Sequence, residues 1–158
     1  MMIKVGRRCH IEGVTPEQVF ATLSDPALIS QILPRVQKTE LLNRDDVARR
    51  ARLVTYMSMG GLFGTIRCEG DLTWQDNREI VFTVRTPLPV ETRWVLSQAV
   101  NGTDLQVIMG IDLAPLLGMM ASFVPEKTVA DMLGADLETA LRGVARQARQ
   151  TLTARAAA

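Results

Sequence analysis

The stretch VTPEQVFATLSDPALISQILPRV, residues 14–36, contains the signals for two short helices in succession. Thr15-Pro16 has the form of a helix start, with a threonine N-cap and a proline at the first helical position. Asp25-Pro26 starts a second helix further along the stretch. Pro34 then ends that helix, because proline has no backbone N–H to donate. The stretch therefore predicts two consecutive short helices.

Extended chain is predicted on both sides of these helices. Lys4 to Glu12 forms a first strand, and after Arg35 segments of strand length alternate with turn sequences. The turns are Asn43–Asp46, Met59–Leu62, Asp76-Asn77, Pro87–Pro89 and Asn101-Gly102. Five short turns separate six successive strands, which should therefore pair antiparallel. With the first strand, the sequence predicts a curved seven-stranded antiparallel sheet.

Alternation with period two divides these strands into two faces. The phase that we assign to the inner face is mostly apolar: Ala51, Leu53, Thr55, Met57, Ile66, Cys68, Leu72, Trp74, Thr92, Trp94, Leu96, Leu105, Val107, Met109 and Ile111. The opposite phase carries most of the charge: Arg50, Arg52, Arg67, Glu69, Asp71, Glu91, Arg93 and Asp112. One face of the sheet should therefore be wetted and the other covered.

A long helix closes the chain, from Pro125 to about Thr151. Its apolar residues recur at helical spacing: Val129, Met132, Leu133, Leu137, Leu141, Val144 and Ala148. This stripe matches the covered face of the sheet, which predicts an α+β fold with the sheet wrapped around the C-terminal helix. We expect one domain over residues 1–158, with a frayed tail from about residue 153 to 158.

Composition excludes several classes of partner. Lys and Arg total 18 against 17 for Asp and Glu, so the net charge of +1 gives no field for nucleic acid. The sequence contains no apolar run long enough to span a bilayer and does not start like a signal peptide, so we expect a cytoplasmic protein. His10, Cys9 and Cys68 are too few and too dispersed for a metal site, and we expect no cofactor.

Catalytic signatures are weak. Tyr56 and Arg85 alternate with apolar inner-face residues and should therefore point outward, and His10 should lie at the surface or rim. No Ser-His-Asp set, carboxylate pair or phosphate loop occurs in the sequence. We expect no catalytic residues, and binding is favoured over catalysis.

The connection LAPLLGMMASFVPEK, residues 113–127, is unusually apolar for a loop, since connections normally run over the surface and are polar. Three roles are open for it. It forms a lid or wall over a cavity, it plugs the core, or it buries itself against a second copy of the chain.

The predicted order of strand, two short helices, six-stranded meander and long helix resembles the helix-grip fold of the START-like (SRPBCC) superfamily. This superfamily includes birch-pollen-allergen-like proteins, polyketide cyclases and lipid-transfer domains. Residues 14–36 resemble its N-terminal motif, although Arg35 stands where the motif usually has glycine. With GTIRCEGDLTW, residues 64–74, the segment DPALISQILPRV is most similar to the branch of carbon-monoxide-dehydrogenase accessory subunits.

The resemblance implies a cavity between the sheet and the C-terminal helix, entered beside the loop that residues 113–127 occupy. The expected ligand is small and hydrophobic: lipid-like, isoprenoid or aromatic. The candidate ligand-binding residues are Thr55, Met57, Cys68, Thr92, Trp94, Met109, Leu116, Met119, Met120, Phe123 and Met132.

Two further functions remain open. Polyketide cyclases and aromatases belong to the same superfamily, and such an enzyme would need polar side chains such as Arg85, Tyr56 or Asp112 in the cavity. The resemblance to the carbon-monoxide-dehydrogenase branch instead implies an accessory protein that docks on a larger enzyme, for which an exposed apolar patch would be evidence.

Overall fold

The computed structural model describes residues 2–58 and 64–157, with all side chains in these ranges except those of Ala121 and residues 155–157. The elements in chain order are β1 (Met2–Glu12), α1 (Pro16–Leu23), α2 (Pro26–Ile32), β2 (Val36–Asp45), β3 (Arg50–Ser58), β4 (Thr65–Gln75), β5 (Glu79–Val84), β6 (Val90–Ala99), β7 (Gly102–Asp112), α3 (Ala114–Leu117), a 3₁₀ helix (Gly118–Phe123) and α4 (Glu126–Ala157). The turn predicted at Met59–Leu62 lies outside the described residues.

Within the described ranges, seven strands form one antiparallel sheet in the order β1-β7-β6-β5-β4-β3-β2. The chain therefore forms a meander from β2 to β7 and closes it with β1, which pairs with β7. This is the helix-grip fold that the sequence predicts, with two short helices between the first two strands. The long connection from β1 to β2 is needed because these strands lie at opposite edges of the sheet.

The two short helices start at the residues that the sequence indicates. Thr15 and Gln18 form a capping box: the Gln18 backbone N–H donates to Thr15 Oγ1 at 3.3 Å, and the Thr15 N–H donates to Gln18 Oε1 at 2.9 Å. Asp25 Oδ1 accepts from the Ala27 N–H at 3.0 Å at the start of α2. These local bonds fix where both helices begin, and the helices cover one end of the sheet.

The two faces of the sheet follow the predicted alternation with one exception. Leu53 and Thr55 on the inner face are buried, and Arg52 on the outer face contacts Asp71 and Glu69 on β4. Val54 belongs to the outward phase but is also fully buried. The outer face is therefore less completely wetted than the charge pattern indicates.

Helix α4 packs its apolar stripe against β1, β7, α1 and α2, and buries Leu133, Leu137, Leu141 and Val144. The helix continues to Ala157, beyond the predicted end near Thr151, because the intervening Ala, Arg and Leu residues are good helix formers. Among the helices in the described ranges, none is long and apolar enough to cross a membrane.

Candidate ligand cavity

Two adjoining cavities lie between the sheet and the helices. The outer cavity has a volume of about 250 Å³ and is bounded by the α2–β2 connection, the ends of β3, β6 and β7, α3 and the first turns of α4. The inner cavity has a volume of about 70 Å³ and extends beneath α1 and α2 toward the middle of the sheet. Five apolar residues line both: Leu33, Val36, Met57, Val90 and Met109.

The strand alternation explains why the walls are apolar. Leu53, Thr55 and Met57 on β3 share one phase, and so do Val90, Thr92 and Trp94 on β6. Each strand therefore sends a row of short or medium side chains into the space under α4. Since these side chains and the helix stripe do not meet everywhere, a cavity remains between them.

An ion pair lies on the wall of the outer cavity. Arg35, in the α2–β2 connection, donates from Nε to Asp136 Oδ2 on α4 at 2.5 Å. Their side chains are 30% and 26% exposed, so the pair lies at the boundary between cavity and solvent. Among the described residues, these two are the charged groups that line the outer cavity.

The inner cavity has a different polarity. Thr55 and Thr92 are the hydroxyl-bearing residues on its wall, and among the described residues that line it none is ionisable. The hydroxyl oxygen of Thr55 is buried and has no hydrogen-bond partner in the described structure. A buried hydroxyl without a partner is uncommon in folded proteins and requires an explanation.

Seven of the eleven predicted ligand-binding residues lie on the walls of the two cavities: Thr55, Met57, Thr92, Trp94, Met109, Leu116 and Met132. The other four, Cys68, Met119, Met120 and Phe123, do not line either cavity. Cys68 is on the predicted inner face but is buried in the core, where burial raises the pKa of its thiol. Its thiol therefore stays protonated at neutral pH.

The apolar connection of residues 113–127 divides into two parts. Leu116, Leu117 and Val124 line the outer cavity, which fits a wall. Met119 and Phe123 are 93% and 82% exposed, and Met120 is also exposed. These three side chains therefore fit neither a core plug nor a closed lid in this conformation. They form an exposed apolar patch beside the cavity.

Sequence reasoning missed Asp136 and did not place Arg35 in the cavity. A signal for Asp136 was available: it lies three residues after Leu133 and directly before Leu137, so helical spacing places it at the edge of the apolar stripe. A charge in that position indicates a cavity or a partner. Arg35 was noticed as a departure from the family motif, but nothing local to it indicates a partner on α4.

The candidate polar residues for catalysis lie away from both cavities. Tyr56 is on the outer face, with the Lys38 ammonium 5.8 Å from its ring centre, and Arg85 is exposed. His10 Nδ1 lies 2.9 Å from Asp104 Oδ1 at the surface. Among the described His, Cys, Asp and Glu residues, no group of three is arranged to hold a metal ion.

Comparison with known proteins agrees with this geometry. Residues 2–149 match the sequence profile of the polyketide cyclase/dehydrase and lipid transport family. The chain belongs to this family. The family includes the START-like proteins that the sequence resembles, while the narrower carbon-monoxide-dehydrogenase branch finds no support among the matches. No curated protein gives a significant match to the sequence.

Solved structures of this family have the same fold. A protein from Thermus thermophilus is 17% identical, with a TM-score of 0.71 over 96% of this chain and 99% of its own. A START superfamily protein from Mycobacterium smegmatis is also 17% identical, with a TM-score of 0.74 over 94% and 99%. The Zhui aromatase/cyclase from Streptomyces sp. R1128 is 15% identical, with a TM-score of 0.73 over 96% of each chain. At these identities the likeness concerns the fold.

Proposed function

We propose that this protein binds or carries a small hydrophobic molecule in the two adjoining cavities. The observation that carries the proposal is the composition of the walls: apolar side chains surround the space, with two threonines at the inner end and one ion pair at the outer end. Binding pockets for small molecules are typically apolar with a few well-placed polar groups. Family membership supports the same function.

Binding is favoured over a cyclase or aromatase reaction because of what lies outside the cavities. Arg85, Tyr56 and Asp112, the polar residues that such a reaction would need in the cavity, are absent from the described walls. Arg35 is the one described arginine at the cavity, and its Nε is already paired with Asp136. The aromatase/cyclase neighbour keeps the enzyme alternative open at the level of the fold.

Docking on a larger enzyme is the second alternative. The exposed patch of Met119, Met120 and Phe123 favours it, since exposed apolar clusters often mark contact sites. A docking function would use this patch and leave the cavity without a role. The two functions therefore differ in which methionines they need.

A matched pair of variants tests the binding proposal. N-phenyl-1-naphthylamine, a neutral probe that fluoresces in apolar surroundings, should bind the native protein. Met132→Trp, which enlarges a half-exposed side chain on the wall of the outer cavity, should weaken this binding at least tenfold. Met119→Trp makes the same change on the exposed patch and should leave it unaltered.

Two results would contradict the proposal: absence of probe binding to the native protein, or loss of binding in Met119→Trp with retention in Met132→Trp. Circular dichroism of both variants controls for folding. Native mass spectrometry of the freshly purified protein then identifies the molecule that it retains.

A further inference from the structure

The inner cavity contains a hydroxyl that the fold leaves without a partner. Thr55 is 3% exposed, lines the inner cavity, and its Oγ1 makes no hydrogen bond within the described residues. Other buried threonines are satisfied by the fold itself: Thr103 Oγ1 donates to the Val14 carbonyl at 2.8 Å and Thr22 Oγ1 to the Gln18 carbonyl at 3.2 Å. The unpaired state of Thr55 is therefore not a general property of buried threonines here.

The strands beside Thr55 do not supply the missing partner. Its Cα partners are Thr39 on β2 and Cys68 on β4. The Thr39 hydroxyl donates to the Pro26 carbonyl at 2.7 Å. The Cys68 side chain is buried in the core, and a thiol is a weak hydrogen-bonding group. The free side of the Thr55 hydroxyl is the cavity itself.

The chemistry of the inner cavity restricts what can approach this hydroxyl. No ionisable side chain is present among the described residues on its wall, and apolar groups such as Leu53, Leu72 and Phe82 surround it. An ionised group would be costly here because no opposite charge would compensate for its lost hydration. A neutral hydroxyl or carbonyl oxygen would instead satisfy Thr55, since a threonine hydroxyl can both donate and accept.

The volumes of the two cavities give the ligand an orientation. About 70 Å³ in the inner cavity accommodates a small end group, while about 250 Å³ in the outer cavity accommodates the larger part of a molecule. The charged pair Arg35–Asp136 lies at the outer end, where a polar substituent can reach solvent. The end that enters first is therefore the neutral one.

We propose that the ligand is an apolar molecule with a neutral hydroxyl or carbonyl oxygen at its inner end, which hydrogen-bonds to Thr55 Oγ1. This inference rests on the proposed binding function and adds the chemical class of the ligand. The competing explanation is a water molecule in the inner cavity. Such a water needs two to four polar partners, and Thr55 and Thr92 are the side chains of the described wall that offer them.

Two nearly isosteric aromatic compounds test the inference. 2-Naphthol and 2-methylnaphthalene differ by a hydroxyl in place of a methyl group, and each is measured by displacement of N-phenyl-1-naphthylamine. The quantity of interest is the ratio of their affinities, because this ratio cancels the affinity for the shared ring. It is compared between the native protein, Thr55→Val and Thr55→Ser.

Thr55→Val should lower the preference for 2-naphthol by about fivefold to tenfold, which is the effect of losing one hydrogen bond. Thr55→Ser keeps a hydroxyl and should retain the native ratio even if its stability is reduced. Thr103→Val removes a buried hydroxyl that lies outside the two cavities and should also retain the ratio. This pattern would not follow from a change in packing alone.

The unfavourable outcomes separate the inference from the function on which it rests. If the probe binds but the ratio is the same in Thr55→Val as in the native protein, Thr55 does not contact a ligand oxygen and the inference is overturned. If neither compound displaces a bound probe, the inference is also overturned and the binding function stands. If the probe itself does not bind the native protein, both fail.

Discussion

Arg35 and Asp136 connect the α2–β2 connection to helix α4, with Arg35 Nε 2.5 Å from Asp136 Oδ2 across a separation of 101 positions in sequence. This contact joins two elements that border the outer cavity on opposite sides. Its partly exposed position gives the pair two properties. It can stabilise the cavity wall, and it can open without first unfolding the core.

Removing the pair should have a measurable but modest effect on stability. In a double-mutant cycle of Arg35→Gln and Asp136→Asn, we expect a coupling free energy of about 1 kcal/mol, because the pair is only partly screened by water. Chemical denaturation of the four proteins measures it. Each single variant should also release the naphthylamine probe faster in stopped-flow experiments, since the connection is no longer held against α4.

The pair Lys127–Asp131 on the same helix provides the control. Its N–O distance is 2.8 Å, but both side chains are largely exposed. Asp131→Asn should change the unfolding free energy by no more than about 0.5 kcal/mol and leave probe release unchanged. Equal effects in Asp131→Asn and Asp136→Asn would show that the cavity pair has no special role.

Two leucines one turn apart on α4 distinguish cavity wall from packed core. Leu137 lines the outer cavity, whereas Leu141 is buried among core residues away from both cavities. Leu137→Ala should cost about 2 kcal/mol and Leu141→Ala about 3–4 kcal/mol, because a side chain next to an existing cavity has fewer contacts to lose. Urea denaturation measures both values. The reverse order would mean that the space beside Leu137 closes in solution.

Two buried threonines should respond in opposite directions to the same substitution. Thr103→Val leaves the Val14 carbonyl without its donor and should destabilise the protein by about 1–3 kcal/mol. Thr55→Val removes a hydroxyl that has no partner in the unliganded fold and should be neutral or stabilise it by up to about 1 kcal/mol. Thermal unfolding without ligand compares them. Substantial destabilisation by Thr55→Val would indicate a protein or water partner for its hydroxyl.

The exposed methionines should be dispensable for ligand binding. Changing Met119 and Met120 together to Gln should alter the unfolding free energy by less than about 0.5 kcal/mol and leave probe affinity unchanged, because neither side chain lines the cavity. Leu116→Gln places the same amide on the cavity wall and should weaken binding. Probe titration measures both variants.

Light scattering of the methionine double variant tests the remaining role of this patch. If the native protein is larger in solution than the double variant, Met119 and Met120 contribute to a contact between copies. Loss of probe affinity in the double variant at unchanged mass would instead show that the connection closes over the ligand as a lid.

Much of the architecture was available from local sequence signals. Thr15 and Asp25 cap the two short helices as their residue types predict, and the alternation along β3 and β6 places Thr55 and Trp94 on the inner face. Such signals succeed because helix capping and strand pleating depend on neighbours within a few residues. Seven of the eleven predicted binding residues line the cavities for this reason.

The errors arose where a residue's position depends on distant parts of the chain. Cys68 has the inward phase, yet it is buried in the core instead of lining the cavity. Met119, Met120 and Phe123 are apolar, but the 3₁₀ helix from Gly118 to Phe123 leaves them exposed beside the wall that Leu116 forms. Apolar character alone does not say which side of a short helix meets the cavity.

The sequence by itself determined the elements, their order, the two faces of the sheet and the apolar stripe of α4, because hydrophobic periodicity and turn chemistry are local properties. The tertiary structure decided where the sheet and α4 fail to meet, and therefore where the cavities lie. It also decided that Arg35 meets Asp136 and that the Thr55 hydroxyl has no described partner. These properties depend on how side chains far apart in sequence fill a shared volume, which no local pattern specifies.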